Sequence, residues 1–294
     1  MRVAAALLLA ATVAAPGPAP KEAALFARLR ERVETVSKNL DGVIGVSIRD
    51  LGSGATIEML AGEPFPQASS IKLAILYELY RQAEERTIDL GERVTPAGPR
   101  AAGSGVLQHL GPDVTLTWRD LAILMMGWSD NEATNLIIDR VGIDSVNRRL
   151  DALGLARTRL RRRMMDTAAA RRGEENVSTP AEMRRLVETL YAGTGLSPER
   201  AKDMLDVAAT PKSSSFRGPV PGSVRVIDKP GELEGVRCVT AIVDLPGRPD
   251  SAAIMTTYLR RDADGEAAIR EISAALYETF DRLARSTELG RRAP

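Results

Sequence analysis

The sequence has very little of two residue types on which common sites depend. Its 294 residues include one cysteine, Cys238, and one histidine, His109. A single thiol cannot form an internal disulfide, and the apolar run around Cys238 predicts a buried strand residue rather than a reactive thiol. A Ser-His-Asp triad would need His109, whose preceding residues, Gly103 to Gln108, predict a loop that leads into a helix. These scarcities weigh against a disulfide framework and against a nucleophile activated by histidine.

An excess of charge of either sign is also lacking. The formal net charge is +1 and the basic residues are dispersed, so there is no electrostatic footprint for nucleic acid. The densest basic run, Arg159-Leu160-Arg161-Arg162-Arg163, is short, and a solvated loop face is favoured there over a binding role. With 44% hydrophobic and 27% charged residues, the chain is an ordinary globular protein that can bury a sizeable core in one large or two interlocked domains.

The N-terminal segment has the pattern of a secretory signal peptide. A short positive start, Met1-Arg2, precedes the apolar, Ala-rich stretch 3–15, and a small-residue exit leads into Pro16 to Pro20. The apolar stretch is too short for a comfortable membrane span. We therefore expect residues 1–20 to be a signal peptide, cleaved near Ala14 to Ala19, and the mature protein to be periplasmic or secreted. A short membrane anchor that stays uncleaved is the alternative.

The spacing of apolar residues predicts strands near both ends of the chain and helices between them. A helix is expected over Lys21 to Leu40, and a hairpin over Val43 to Ile48 and Ala55 to Leu60. The chain then has a helical pattern from Phe65 to about Leu205. Its clearest helices are predicted at Trp118 to Gly127, Asn131 to Val141, Ile143 to Leu153 and Ala181 to Tyr191. The last predicted elements are strands at Val224 to Asp228, Gly235 to Val243 and Ala252 to Leu259, and a helix at Gly265 to Leu283.

These elements favour an α+β fold with two lobes. The simplest closure is one antiparallel sheet made from both chain ends and flanked by the terminal helices, with the helical middle as an all-helical lobe. Residues 21–64 and 215–284 would form the α/β lobe, residues 65–214 the helical lobe, and residues 285–294 a polar tail. A candidate site is expected at the seam between the lobes, where ligand clefts preferentially occur.

Lysine is much rarer than arginine in this sequence. Only six of its 40 basic residues are lysine, so a lysine at the start of an apolar helical run needs an explanation. Lys72 follows Ser69 by three residues, and residues i and i+3 share one face of a helix. Lysine, unlike arginine, can be desolvated until it loses its proton. Ser69 and Lys72 are therefore a candidate nucleophile and proton acceptor.

Two further motifs follow Ser69-Ser70-Ile71-Lys72 in the chain, Ser129-Asp130-Asn131 and then Lys229-Pro230-Gly231. By itself, S-x-x-K is expected about once by chance in a chain of this length, and its alternative is a helix cap beside a surface lysine. The order and spacing of the three motifs are more specific. On these residues the chain resembles the penicillin-recognising serine enzymes, and most closely the class A β-lactamases, whose signature is S-x-x-K, S-D-N and K-T-G. The similarity runs from about Leu25 to Leu283.

The resemblance implies a division of roles among these residues. Ser69 would be acylated while Lys72 accepts its proton. Ser129 would relay a proton to the leaving nitrogen, and Lys229 would hold that relay and the substrate carboxylate electrostatically. Asp130 would be structural, bonded to backbone within its own loop.

The substrate would be held by side chains and by backbone. By the same resemblance, Asn131 would contact the substrate amide, and the backbone N–H groups of Ser69 and Glu232, just after Gly231, would form the oxyanion hole. No cofactor and no metal ion are expected. The expected partner is a small β-lactam or a cell-wall peptide, with no nucleic acid, no membrane span in the mature chain, and a monomeric state.

One loop departs from the class A pattern. In those enzymes it carries E-x-x-L-N, whose Glu positions the water that hydrolyses the acyl-enzyme. When Thr158-Arg159-Leu160 is aligned with the start of that loop and Ser178-Thr179-Pro180 with its end, Met164 falls at the Glu position and Ala168 at the Asn position. Neither side chain can activate water. Asp166 is the nearest carboxylate and would serve as the deacylation base only if the loop were shifted. Its alternative is a salt bridge to one of Arg161 to Arg163.

Two further departures concern the loop closure and the carboxylate site. Asn176 stands where the family has the loop-closing Asp, and Pro230 removes the hydroxyl of the K-T-G threonine. The sequence therefore predicts an exported serine hydrolase with intact acylation residues and an altered deacylation loop. The alternatives are a penicillin-binding or D-Ala-D-Ala peptidase-type relative or an esterase, a non-hydrolysing β-lactam or cell-wall sensor, and an unrelated helical protein with chance motifs.

Overall fold

The computed structural model describes residues 19–287 and 289–292, so residues 1–18 of the predicted signal peptide lie outside the described residues. Within that part of the chain, no helix is long and apolar enough to cross a membrane. The helices are α1 (Pro20–Asn39), α2 (Lys72–Glu84), α3 (Trp118–Gly127), α4 (Asn131–Val141), α5 (Ile143–Ala152), α6 (Thr167–Arg171), α7 (Pro180–Tyr191), α8 (Pro198–Ala208) and α9 (Asp262–Ala284). The strands are β1 (Val43–Asp50), β2 (Thr56–Met59), β3 (Phe65–Pro66), β4 (Arg93–Val94), β5 (Leu116–Thr117), β6 (Val177–Ser178), β7 (Arg225–Leu233), β8 (Val236–Asp244) and β9 (Asp250–Thr257).

A five-stranded antiparallel sheet joins the two ends of the chain, which confirms the predicted α+β fold. The strand order is β2-β1-β9-β8-β7, so N-terminal strand β1 lies directly beside C-terminal strand β9. The terminal helices α1 and α9 cover one face, where Phe26 and Phe280 meet edge to face at 5.8 Å. The alternating apolar residues of the strands supply the other half of this buried layer.

The opposite face of the sheet packs on the helical lobe. Helix α2 runs through the middle of that lobe and is buried over most of its length, as expected of a helix that is apolar on nearly every side. Helix α7 belongs to the helical part of the sequence but packs directly on β1, β8 and β9. The domain boundaries at residues 64 and 214 stay a prediction.

Strand β7 is longer than predicted, because it continues through Pro230 to Leu233 rather than ending at Asp228. Proline donates no backbone hydrogen bond and is normally excluded from a central strand. Strand β7 is the last strand of the sheet and pairs only with β8, so Pro230 is tolerated at this edge. The extension carries Gly231 and Glu232 along the border between the two lobes.

Two carboxyl groups are buried side by side where the sheet meets the loop before β9. Asp50 pairs with Asp250 across β1 and β9. Asp50 accepts hydrogen bonds from Gly52 N, Ser53 Oγ and the Arg248 guanidinium. Neither oxygen of Asp250 has a hydrogen-bond partner among the described residues. Burial, together with the charge of Asp50, raises the pKa of Asp250 well above its ordinary value.

We expect Asp250→Asn to raise the free energy of unfolding at pH 7 by about 1–3 kcal/mol, the usual size of the linkage between folding and the protonation of one carboxyl group. Asp250 holds its proton more strongly in the folded protein than in the unfolded chain, which loses it above about pH 4. The stability of the wild type therefore falls as the pH rises above about 4. The amide needs no proton and can donate to Asp50. Urea denaturation should show a large gain at pH 7 and little at pH 4. Asp50→Asn, which breaks the Arg248 contact, should destabilise, and an equal gain at both pH values for Asp250→Asn would contradict the argument.

Candidate active site

Ser69 lies in the 3-10 turn Ala68–Ile71 that leads into α2. Ala68 has a φ of +43°, a left-handed conformation that costs free energy for a residue other than glycine and is often found at functional sites. Ser70 is buried, and its Oγ donates to the carbonyl of Lys229 at 2.8 Å. Ser69 instead lines the cleft. Of the two adjacent serines, Ser69 is the one that a substrate can reach.

Lys72 is fully buried at the beginning of α2. Its Nζ donates to Ser129 O at 2.8 Å, to Ser129 Oγ at 3.1 Å and to Asn131 Oδ1 at 3.2 Å. These three acceptors use all the hydrogens of the ammonium group. The direct bond to Ser69 that the i, i+3 spacing predicts is therefore absent from the contacts of Lys72 within the described chain. Catalytic hydrogen bonds are often incomplete before substrate binds.

The environment of Lys72 favours loss of its proton. Burial and the nearby charge of Lys229 hold the pKa of Lys72 well below its ordinary value, with Asp130 opposing the shift. Burial disfavours the charged form of an amine, and a like charge disfavours it further. The neutral amine has a lone pair and can accept a proton, which an arginine at this position could not do.

Ser129 connects two lysines. Its Oγ accepts from Lys72 Nζ and from Lys229 Nζ, each at 3.1 Å, and its φ of +53° is again left-handed. Because both amines donate to the oxygen, the hydroxyl hydrogen of Ser129 is free to point into the cleft. Ser129 is thereby placed to pass on a proton that either amine can replace.

Asp130 and Asn131 hold the neighbouring loop in place. Asp130 caps α4 through Ala133 N, and its other oxygen accepts from Val106 N and Leu107 N. Asp130 therefore holds the backbone at the start of α4 and also the backbone of a second loop. Asn131 lines the cleft, accepts from Lys72 and donates to a backbone carbonyl of the preceding loop.

The edge strand β7 passes very close to the turn that carries the nucleophile. A Cβ on Gly231 would lie 2.6 Å from Gln67 O and 2.9 Å from Ser70 N, so the approach requires glycine. Lys229 is buried, and its Nζ also donates to Pro230 O at 2.9 Å. Glu232, which follows Gly231, lines the cleft together with Ser69.

The cleft consists of two cavities that meet at Ser69. One, of about 500 Å³, is mainly apolar on the side of Met164, Met165 and Leu233. The other, of about 460 Å³, contains Lys229, Lys212, Ser129 and Trp128. Ser69 thus separates an apolar side from a cationic side, and a bound molecule with one apolar and one anionic end would place its middle at the Ser69 hydroxyl.

Met164 stands at the glutamate position of the class A loop, and it faces the apolar cavity. Its backbone is held by Asn135, which accepts from Met164 N at 2.8 Å and donates to Met164 O at 3.1 Å. Sequence reasoning missed Asn135. The signal was its place one helical turn after Asn131, on a face of α4 that is buried.

Asn176, which stands at the position of the loop-closing aspartate of the class A pattern, closes the loop in this chain. Its Oδ1 accepts from the backbone N–H groups of Arg161 at 2.7 Å and Arg162 at 3.1 Å, and its Nδ2 donates to Arg162 O. The carbonyl of Asn176 accepts from Gln67 N at 2.8 Å. Asn176 therefore closes the loop through neutral hydrogen bonds and ties it to the nucleophile turn.

Asp166 is placed as a helix cap rather than as a base. Its Oδ1 accepts from Ala169 N at 2.9 Å at the start of α6. The side chain is exposed, and it is outside the described residues that line either cavity. The shifted loop that a catalytic Asp166 would require is not what the structure shows. Ala168 also lies on the exposed side of α6, whereas Thr167 and Ala170 face the cavity.

The predicted salt bridge of Asp166 to the basic run is replaced by other pairs. Arg162 pairs with Glu175 at 2.8 Å, and Arg163 pairs with Asp139 at 3.0 Å. Arg162 and Arg163 are thereby paired with residues that lie across the loop and on α4.

The two scarce residues lie where the sequence places them. His109 is exposed at the end of the 3-10 turn Leu107–His109, outside the described lining of both cavities. Cys238 is buried in β8 with its Sγ 3.2 Å from Gln67 O, and burial raises the pKa of its thiol to about 11. A buried thiol that keeps its proton is a poor nucleophile.

Comparison with known proteins gives consistent matches over most of the chain. The model of the β-lactamase enzyme family matches residues 28–280. The β-lactamase ROB-1 of Haemophilus influenzae is 28% identical over 264 residues, which cover 84% of this chain and 83% of that protein. A β-lactamase structure from Sphaerobacter thermophilus has a TM-score of 0.79 at 30% identity and covers 87% of this chain and 97% of that one.

A second solved relative carries a different name. The structure of PBP-A has a TM-score of 0.79 at 26% identity and covers 90% of this chain and 98% of that one. A leucine-to-glutamate mutant of PBP-A, described as an acyl-enzyme complex with penicillin G, has a TM-score of 0.78 at 27% identity and covers 87% of this chain and 97% of that one.

Proposed function

Because the chain belongs to the β-lactamase enzyme family, as a class A-like serine hydrolase, we propose that β-lactams acylate Ser69 and that the ring-opened acyl-enzyme is hydrolysed slowly. The observation that carries this proposal is the linked set Lys72, Ser129 and Lys229 beside an accessible Ser69. Hydrogen-bonded amines beside a serine are the arrangement that activates such a nucleophile in the absence of histidine.

In the proposed acylation, neutral Lys72 accepts the proton of Ser69 as its Oγ attacks the β-lactam carbonyl. The carbonyl oxygen becomes an oxyanion, which the backbone N–H groups of Ser69 and Glu232 stabilise. The C–N bond then breaks, and Ser129 passes its proton to the leaving nitrogen. The hydrogen bonds of Ser129 Oγ to both amines supply the route by which this proton is replaced from Lys72.

The two sides of the cleft fit the two ends of such a substrate. The apolar cavity would take the acyl side, and the cationic cavity would take the leaving side, where Lys229 attracts a carboxylate. A β-lactam with a carboxylate beside its ring nitrogen has this distribution of charge.

Slow deacylation is proposed from the residues of the loop beside the cleft. Water attack needs a general base, and Met164 offers none. Asp166 is occupied as a cap on α6. Glu175 lines the apolar cavity but is paired with Arg162. The second candidate is a peptidase that acts on cell-wall peptide and is only acylated by β-lactams. A similar structure, a leucine-to-glutamate mutant of PBP-A, is described as an acyl-enzyme complex with penicillin G.

Export and a monomeric state belong to the same proposal. The pattern of residues 1–20 supports export to the periplasm or secretion. A site built within one chain is sufficient for the proposed reaction.

Mass spectrometry of the purified protein with benzylpenicillin over time tests the proposed function. We expect an adduct with the mass of the whole antibiotic, because ring opening loses no atoms, and peptide mapping should locate it on Ser69. Ser69→Ala should give no adduct. An adduct on Ser70 or Ser129 would refute the assignment of the nucleophile. Release of a terminal D-alanine from a cell-wall peptide at a higher rate than penicillin hydrolysis would favour the peptidase.

A further inference from the structure

A third lysine with a buried side chain, Lys212, lies on the cationic side of the cleft. It follows α8 in a loop and shares a cavity with Lys229, Ser129 and Ser213. Its side chain is 3% exposed, which is unusual for a residue that is normally found in solvent. The proposed acylation does not use it.

The contacts of Lys212 show that its ammonium group is held from behind the cleft. Nζ donates to Ala208 O at 2.7 Å, to Asp228 O at 3.1 Å and to Asp228 Oδ1 at 3.3 Å. All three hydrogens are thereby used, so Lys212 has none left for a bound ligand. Asp228 immediately precedes Lys229 on β7. The charge of Lys212 is therefore fixed next to the backbone of Lys229.

Beside Lys229, two cations are held on one buried anion. The buried carboxylate of Asp228 also receives the Arg217 guanidinium at 2.8 Å, so two cations share one anion. Lys229 faces Lys72 from α2 and Cys238 from β8, and Glu232 lies on its own strand. Asp130, near Lys72, is the other buried carboxylate of this region.

Pro230 affects how the cationic cavity can attract an anionic group. At the position after Lys229, the chain has no hydroxyl that could donate to an anionic group, so the charges of the cationic cavity supply more of the attraction for such a group. We propose that Lys212 is a positioning residue for the leaving group: its fixed charge, acting through Asp228 and Lys229, gives the cleft its preference for a substrate with a carboxylate on the leaving side. This inference rests on the proposed function, because it concerns which substrates the cleft prefers for the proposed acylation.

The protonation of the two lysines predicts how the preference depends on pH. Burial lowers the pKa of Lys212 to about 8 and, together with the charge of Lys212, lowers the pKa of Lys229 to about 8. Both ammonium charges are present below that pH, so the preference should be full there and lost as the pH rises through it. The two groups titrate as a coupled pair.

The test compares benzylpenicillin with its methyl ester, which lacks the negative charge. Binding is measured by calorimetry in a Ser69→Ala background, where no acylation occurs, and acylation is measured with Ser69 present. Lys212→Met should weaken binding of benzylpenicillin by about tenfold, the size of one charge interaction across a partly buried site, and leave the ester unchanged. Lys212→Arg should retain the preference. Lys202→Met, which removes an exposed lysine paired with Asp206, is the matched control.

The pH profile separates a charge effect from a packing effect. In Lys212→Met, loss of the like charge raises the pKa of Lys229, so the remaining preference should be lost at higher pH than in the parent protein. An equal loss for acid and ester, an unshifted profile, or no preference in the parent protein overturns the role of Lys212. Preserved preference in binding without an adduct on Ser69 overturns the proposed function alone.

Discussion

Replacing Lys72 by arginine is expected to slow acylation of Ser69 by about two or more orders of magnitude, the usual size of a general-base contribution. Arginine keeps the positive charge but has no removable proton at any accessible pH. Burial and Lys229 already hold the pKa of Lys72 below its ordinary value, so the wild-type amine reaches its basic form where arginine does not. Stopped-flow acylation with a chromogenic cephalosporin measures the difference.

Lys229→Arg is the matched comparison for this effect. The same change preserves the charge that attracts the substrate and the contact with Ser129, so its loss should be smaller. Circular dichroism and thermal unfolding of both variants check that the buried site still folds. Equal losses of acylation at Lys72 and Lys229 in folded proteins would contradict the separate roles that we assign.

A penicillin should give a fast burst of acylation followed by slow turnover, because the loop supplies no general base for deacylation. General-base catalysis contributes about 10²–10⁴ in rate, and most of this is missing when Met164 occupies the site. Met164→Glu should raise the slow phase. Asn135 clamps the backbone of Met164 on both its N–H and its C=O, so the new carboxylate should enter the apolar cavity in the register of the methionine.

Two further variants locate the base. Met165→Glu adds the same charge at the neighbouring position, where the backbone has a φ of +64° and Asn135 does not clamp it, and we expect little gain. Asp166→Asn should leave the slow phase unchanged, since the amide oxygen can still cap α6. If the wild type turns over rapidly without a burst and Asp166→Asn accumulates acyl-enzyme, Asp166 is the base and the impaired-loop interpretation is wrong.

Much of the fold was accessible to sequence reasoning because its signals are local. Helices α3 and α4 begin and end where the apolar spacing predicts, and the split of strands between the chain ends leaves few ways to form one sheet. The error at β7 arose from Pro230, which is a break in a central strand and is tolerated at an edge. Whether a strand is at the edge depends on the order of the strands, which the local pattern does not contain.

The site divides in the same way. The S-x-x-K spacing identified Ser69 and Lys72, and S-D-N identified Ser129. These motifs did not identify Asn135 or Lys212, whose roles depend on contacts with segments distant in sequence. The sequence placed Asn176 at the loop closure, but the hydrogen bonds by which it closes the loop are set by the tertiary structure. The placement of Asp166 could not be predicted for a related reason: a carboxylate in a loop can face the cleft or cap a helix, and only the path of the backbone decides between them.

The sequence by itself determined which chemistry is available: a serine with a lysine one turn later, no competing histidine pair, and a loop without the expected glutamate. These are matters of residue identity and short spacing, and no folding can add a missing carboxylate or remove a lysine. The tertiary structure decided the protonation and direction of those groups. Burial lowers the pKa values of Lys72 and Lys229, since the charged form of an amine loses its hydration there, and burial exists only once the two lobes have closed over α2.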